Sequence, residues 1–399
     1  MKHLKFGLVI LLVSITFICF GFKCPWQKKD KDNDIITGSS GDTSSGDTWT
    51  ATTITDAPIS RTWHSAVWTG SEMIVWGGMD EANNNFNTGS KYNPSLDSWT
   101  AITTVNVPLP RDYHTAIWTG TEMIVWGGGN ATNTIFFNSG AKYYPITDTW
   151  VSITMTNAPT SRTAHAVVWT GNEMIIWGGW DGTKCLNTGA KYYPITDTWI
   201  SITTTNAPIS RSVRTAIWTG TEMIIWGGST LPTTYFSTGA KYNPMTDTWT
   251  PITTTNVPLE RDLHTAIWTG NEMIVWGGQD GLGNAVYADG GKYDPVQDKW
   301  TPIASFTTSN SAYGRNSHSA IWTGNQMIVW GGDPHDLVSY LNDGGRYNLS
   351  NNTWTLLPVL NISPRWGHTS VWTGTEMIIW GGYNDYALIS FNTGARYKP

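Results

Sequence analysis

The sequence predicts an all-β protein in which one four-stranded antiparallel sheet is repeated seven times in a closed array. Three observations carry this reading. A Trp-Gly-Gly triplet recurs at Trp76, Trp126, Trp177, Trp226, Trp276, Trp330 and Trp380, at intervals of 50, 51, 49, 50, 54 and 50 residues, and a fixed period is the mark of one supersecondary unit used again and again. In every copy an arginine (Arg61, Arg111, Arg162, Arg211, Arg261, Arg315, Arg365) stands 15 residues before that tryptophan, a coincidence that chance does not repeat seven times. The composition agrees: the 399 residues include 13% aromatic but only 14% charged side chains and 41 glycines, which suits strands and turns and leaves little material for long solvated helices. The net charge of −6 and the lack of any Lys/Arg block argue against a nucleic-acid partner, whose binding rests on phosphate neutralisation.

Residues 1–24 read as an export leader. Lys2 and Lys5 precede an uncharged apolar run from Phe6 to Phe22, the order found in secretory signals. No A-x-A-like cleavage site follows, and Cys24 stands where a lipoprotein cysteine would, behind a Gly21-Phe22-Lys23 that matches the usual small residues poorly. Cys24 is therefore a candidate lipidation site. The apolar run has 17 residues, the lower limit for a spanning helix, so a retained anchor is the alternative to cleavage or lipidation. Either form of anchor is the sole membrane link expected. Residues 25–46 are polar and rich in Gly, Ser and Asp, the composition of a flexible tether. The third domain, residues 47–399, has Cys185 as its one cysteine and can form no internal disulfide.

The second copy shows how each unit divides. His114 to Trp118 (HTAIW) is an innermost strand, Thr119-Gly120 a tight turn, and Glu122 to Trp126 (EMIVW) the next strand; both are short, apolar and rich in β-branched or aromatic residues. Gly127-Gly128 ends the second strand where backbone must bend or approach a neighbour closely. After a variable loop come Gly140-Ala141-Lys142-Tyr143, the turn Pro145-Ile146-Thr147-Asp148 and the outer strand beginning Thr149-Trp150-Val151. The seventh copy ends at Tyr397-Lys398-Pro399, after its third strand, whereas Asp47-Thr48-Trp49-Thr50 carries an outer-strand sequence ahead of the first complete copy. The N-terminal strand is thus expected to complete the last sheet and close the ring, removing an edge open to aggregation.

R-x-x-H-[ST]-A, the Gly-Gly doublet, and a Tyr and Trp seven apart together resemble the kelch family over residues 47–399. The resemblance implies a β-propeller of seven blades around a central channel. The residue-level reading reaches the same blade, since stacked four-stranded sheets bury aromatics between neighbours and leave only short edges.

Alternating strand direction places the loop entering the first strand and the loop after Gly-Gly on one face, called the top. The Thr-Gly and Pro-x-x-Asp turns fall on the other, the bottom. The seven arginines ring the top, where they either satisfy loop carbonyls or acids such as Asp80, Asp181, Asp280, Asp333 and Asp385, or form a cationic mouth for a carboxylate-bearing ligand. Arginines at this position contact acidic peptides in some kelch receptors, which the resemblance makes possible here. The repeated His64, His114, His165, His264, His318 and His368 are expected to hydrogen-bond a neighbouring strand, with Arg214 replacing the histidine in blade four. At the bottom, Glu72, Glu122, Glu173, Glu222, Glu272 and Glu376 are read as turn or edge partners, with Gln326 breaking the series.

Recognition should lie where the copies differ. Between Arg and His stand Trp63, Asp112-Tyr113, Asp262-Leu263 and Trp366-Gly367, and extended geometry would set the second position on the arginine's side of the strand. Blades seven, one and two, which carry Trp366, Trp63 and Tyr113, are consecutive in a closed ring. The loops after Gly-Gly add Phe86, Trp180, Tyr340, Tyr383 and Tyr386, with Asp333, His335 and Asp336. Trp63, Tyr113, Trp180, Trp366, Tyr383 and the seven arginines are the candidate ligand-binding residues; aromatic faces suit sugar rings or peptide side chains. The expected function is a non-catalytic, exported module, monomeric in its propeller, that binds a protein or glycan ligand through the top face. The alternative is a carbohydrate-active enzyme, a sugar epimerase or an oxidase of the galactose-oxidase type, although Cys185 has no evident partner constellation for the latter. No P-loop or nucleotide fingerprint occurs, and no metal or cofactor is implied.

Overall fold

The computed structural model describes residues 46–399 apart from 131–133, 214, 231–233, 282–284, 309–310, 313 and 336–339. The expected leader with Cys24, nearly all of the expected tether, Arg214 and Asp336 lie outside the described residues. What is described is all β: seven four-stranded antiparallel sheets, with three two-stranded ribbons beside them.

Blade one shows the pattern. Ser65–Trp68, Met73–Trp76, Gly89–Asn93 and Ser98–Ala101 pair in chain order. Blades two to six repeat this order over residues 115–152, 166–201, 217–251, 265–303 and 319–356. The seven innermost strands meet each other in sequence, and that of blade seven returns to that of blade one. Blade seven takes Thr369–Trp372, Met377–Trp380 and Gly394–Lys398 from the C-terminal end and its outer strand, Thr48–Ala51, from the beginning of the domain. The register sets Thr48 opposite Lys398 and Ala51 opposite Ala395. The ring is therefore closed by the N-terminal strand, and the fold is a seven-bladed β-propeller.

The Met-Ile-Val-Trp second strand is apolar at every position because its sheet is covered on both faces. Side chains alternate across a strand, so Ile74 and Trp76 pack toward Met123, Val125 and Trp150 of blade two, while Met73 and Val75 pack toward Ile378 and Trp380 of blade seven. Trp76 is wholly buried, and truncating such a ring to alanine costs about 3–5 kcal/mol. The outer-strand tryptophans join blades by polar contacts as well. Trp99 Nε1 donates to Thr53 O at 3.0 Å, Trp150 to Thr103 O at 3.1 Å, and Trp49 to Pro358 O at 3.0 Å, each reaching the segment that follows the preceding blade. Asp97 adds a second link of this kind, since its Oδ1 accepts from Tyr92 OH at 2.6 Å and from Thr53 N at 3.0 Å. The same carboxylate geometry recurs at Asp148, Asp197, Asp247 and Asp298, and Asn352 performs it in blade six.

The glutamates act at the bottom edge. Glu72, Glu222, Glu272 and Glu376 approach the third-strand cations Lys91, Lys241, Lys292 and Arg396 at 3.3–3.9 Å. Blade six departs from this rule, with Gln326 in place of the acid and Arg346 as its third-strand cation. Arg346 turns instead to Asp47, Nη2 lying 2.8 Å from Oδ2 and Nη1 3.0 Å from Oδ1, with the Asp47 side chain only 2% exposed. A bidentate ion pair thus fastens the beginning of the closing strand to the neighbouring blade.

Candidate ligand-binding face

The top of each blade is built on its arginine, and every one of the seven is 0 or 1% exposed. Arg61 is representative. Its Nε donates to Ile59 O at 2.9 Å, its Nη1 to Gly77 O at 2.9 Å and Thr88 O at 2.7 Å, and its Nη2 to Thr88 Oγ1 at 3.2 Å. The guanidinium lies 4.7 Å from the Phe86 ring centroid, and Arg111, Arg211, Arg261 and Arg365 lie similarly over Phe137, Phe236, Tyr287 and Phe391. Carbonyl dipoles and a π face together solvate a buried cation. Burial draws the guanidinium of Arg61 down to about 9 and those of Arg111, Arg162 and Arg211 to about 10, so all remain charged at neutral pH. Arg61, Arg111, Arg162, Arg211, Arg261, Arg315 and Arg365 therefore support the top loops from beneath and do not form a cationic surface. The acids expected beside them are engaged elsewhere: Asp80, Asp181, Asp280 and Asp333 accept from N–H groups of their own loops. Asp289 and Asp343, just ahead of third strands, form ion pairs with Arg261 and Arg315, each at 2.9 Å.

The histidines stitch neighbouring blades. His114 Nε2 meets Ser65 Oγ at 2.9 Å, His165 meets Thr115 Oγ1 at 2.8 Å, and His64 closes the circle on Thr369 Oγ1 at 2.8 Å. Each ring also stands edge-on against the second-strand tryptophan of the preceding blade, His114 lying 5.0 Å from Trp76 at 76°. Gly-Gly makes room for this arrangement. Gly77 has φ +71°, and a Cβ there would lie 2.6 Å from His114 Cε1, so both backbone conformation and packing demand glycine. Burial holds His114, His264 and His368 at about 3, and His64, His165 and His318 also fall well below the usual imidazole value.

Above this framework the copies diverge. In six of the seven blades the position two residues after the arginine is not extended: Trp63, Tyr113, Ala164, Leu263 and Ser317 have φ between 48° and 55°, and Gly367 has 64°, with Val213 of blade four the exception. This corrects the extended geometry expected from the sequence. The left-handed turn frees the chain to reverse before the histidine, and neighbouring positions meet there, with Trp63 N donating to Gly367 O at 3.4 Å and Ser317 N to Leu263 O at 3.2 Å. Non-glycine residues hold this conformation at an energetic cost.

Trp63, Tyr113 and Trp366 come together as their ring order suggested. The Trp63 ring lies 4.5 Å from Tyr113 at 31° and 5.0 Å from Trp366 at 81°. Trp366 continues to Tyr340 at 6.0 Å and 24° and to Tyr383 at 6.4 Å, and Tyr340 to Tyr386 at 5.1 Å. A bridge between Trp366 and Tyr383 joins the entering loop to the loop after Gly-Gly, so both belong to one face. Trp180, also a candidate, bridges Thr163 and Cys185 in blade three and takes no part in the described run. Phe86 packs on Arg61 beneath it. Tyr340 and Tyr386 were visible as loop aromatics but not as members of a site, because Tyr340 joins Trp366 and Tyr386 across different loops.

The charges beside the run are negative. Exposed Asp385 accepts Trp366 Nε1 at 2.7 Å. Asp333 accepts His335 N at 2.6 Å, and His335 Nδ1 lies 3.7 Å from its Oδ2. Burial raises the Asp333 carboxyl, and nearby Asp385 raises it further. Burial and then the Asp385 charge push up the hydroxyls of Tyr340 and Tyr383. Among the described residues no group of three His, Cys, Asp or Glu side chains is placed to hold a metal ion.

Seven closed blades, each with a buried arginine and a Gly-Gly step and all but the fourth with an interblade histidine, define a kelch-type propeller. A family model described as the KLHDC2/KLHL20/DRC7 Kelch-repeats domain matches residues 7–215, and one described as the Attractin/LZTR1 beta-propeller matches residues 137–390. Each spans more than half of the chain, which therefore belongs to the kelch-repeat β-propellers, a class that typically serves protein interaction. A search among curated proteins finds no match.

Proposed function

We propose that this chain is an exported, surface-tethered binding module that recognises a protein or glycan ligand through the top face of its propeller, without catalysis. The observation that supports this reading is the aromatic run contributed by blades six, seven, one and two, in which Tyr386, Trp366, Trp63 and Tyr113 reach the surface and Tyr340, 6% exposed, backs Trp366 and Tyr386. The framework repeats around the whole ring, whereas Trp63 and Trp366 have no tryptophan counterpart in any other blade. Amphipathic rings grouped on one surface are a common basis of recognition. Export is supported by Lys2, Lys5 and the apolar run after them, with Cys24 as the candidate point of lipid attachment. The test is to probe peptide and glycan arrays with the purified chain and with Trp63→Ala and Trp366→Ala variants. Binding that drops at least tenfold in both variants is the expected result. Binding indifferent to both substitutions refutes this choice of face, and turnover of an arrayed sugar favours the carbohydrate-active alternative.

A further inference from the structure

Building on the reading of the top face as the binding face, we propose that its aromatic run receives a basic side chain, lysine or arginine, presented by a protein partner. The inference reverses the sign of the ligand suggested by an arginine ring. Those arginines are buried and bonded to carbonyls, so they offer a ligand carboxylate no donor. The groups that do reach the surface beside the rings are acids. Asp385 is exposed and holds the Trp366 indole at 2.7 Å, Asp333 lies on the blade-six side near Tyr340, and Glu81 bonds Ser390 on the blade-one side.

The loops after Gly-Gly in blades six, seven and one, residues 333–343, 383–393 and 79–88, contain neither lysine nor arginine. A ligand cation would therefore meet no competing lysine or arginine from these loops. Rings and acids act together on such a ligand: an aromatic face attracts a cation through its quadrupole, and a carboxylate at its rim adds a longer-range attraction. Trp63 and Trp366 stand in edge-to-face contact at 5.0 Å and 81°, so a side chain laid across the pair meets the face of one ring and the edge of the other. Asp385 is placed to meet the charged end, because its bond to Nε1 fixes it at the Trp366 rim. A neutral sugar would use the same rings but would not require two adjacent carboxylates.

The test uses the full chain on an array of basic peptides, each printed beside a version with lysine replaced by norleucine and arginine by citrulline, and beside neutral glycans. Asp385→Asn keeps an acceptor for the Trp366 indole while removing the charge, and Asp333→Asn does the same for the His335 amide. We expect binding to the basic versions only, about tenfold weaker in the Asp333→Asn/Asp385→Asn double variant and weaker still as salt is raised, with an unchanged melting curve. Ligands whose binding needs Trp63 and Trp366 but ignores both aspartates would overturn the cation and leave the face standing. Basic peptides whose binding ignores Trp63→Ala and Trp366→Ala would overturn both readings, and the absence of any basic-peptide binder would overturn this one.

Discussion

Acidification should dismantle the ring through its interblade histidines. Six of them, His64, His114, His165, His264, His318 and His368, are buried, with burial the first cause of their depressed pKa values. The unfolded chain titrates each at about 6.5. Below that pH the unfolded state takes up protons that the folded state refuses, so stability present above pH 6.5 is lost as pH falls toward the folded values, about 3 for His114, His264 and His368. Between pH 7.5 and 5.5 each histidine removes about 1.4 kcal/mol, and six together remove about 8 kcal/mol. Net stabilities of domains are about 5–15 kcal/mol, so this loss takes most of the reserve. Guanidinium unfolding followed by tryptophan fluorescence at pH 7.5, 6.5 and 5.5 measures it. His264→Gln supplies an internal control: whatever it does at pH 7.5, it should reduce the pH slope by about one sixth, one histidine in six. An unfolding free energy constant to within about 1 kcal/mol over this range would refute the reasoning.

Two further outcomes test the closure and the Gly-Gly step. Asp47→Ala should lower stability by about 3 kcal/mol, because Arg346 is left without its buried partner; deletion of residues 47–53 should lower the melting temperature more and expose apolar surface to dye, and an unchanged melting curve would sink the closure. Gly77→Ala should destabilise by at least about 2 kcal/mol more than Gly70→Ala. Both glycines have positive φ, but a Cβ at Gly77 would lie 2.6 Å from His114 Cε1, whereas one at Gly70 would have nothing within 4 Å; equal losses in differential scanning calorimetry would show that packing at the step is unimportant.

The fold was legible because each blade must solve the same packing problem, so its solution is printed seven times. Trp76, His114 and Gly77 touch one another across a blade boundary, and a contact repeated around a ring leaves a fixed spacing in the chain. The arginines were legible in position but not in exposure: a sequence shows that Arg61 recurs, not that Gly77 O and Thr88 O close over it. The aromatic run was half legible. Ring order brought Trp366, Trp63 and Tyr113 side by side, but the contacts of Tyr340 and Tyr386 depend on loop paths that do not repeat and carry no periodic signal. The Asp47–Arg346 pair was missed, although a trace of it existed: Gln326 breaks the glutamate column in the blade that carries Arg346, and a cation without its usual acid needs a different neighbour.

The closing strand has a mechanical consequence. It runs from Thr48, opposite Lys398, to Ala51, opposite Ala395, so the polypeptide enters the ring on the side of the Pro-x-x-Asp turns, away from the aromatic face. A molecule held by its N-terminus would be held from below, with Trp63 and Trp366 turned outward. Tension along such a tether would load the outer strand of blade seven lengthwise, straining its pairing with Gly394–Lys398 and the Asp47–Arg346 pair together. Pairs sheared in parallel resist a pull that would open them easily one at a time, so the seam of the ring is oriented to bear force at the point where a tether would apply it.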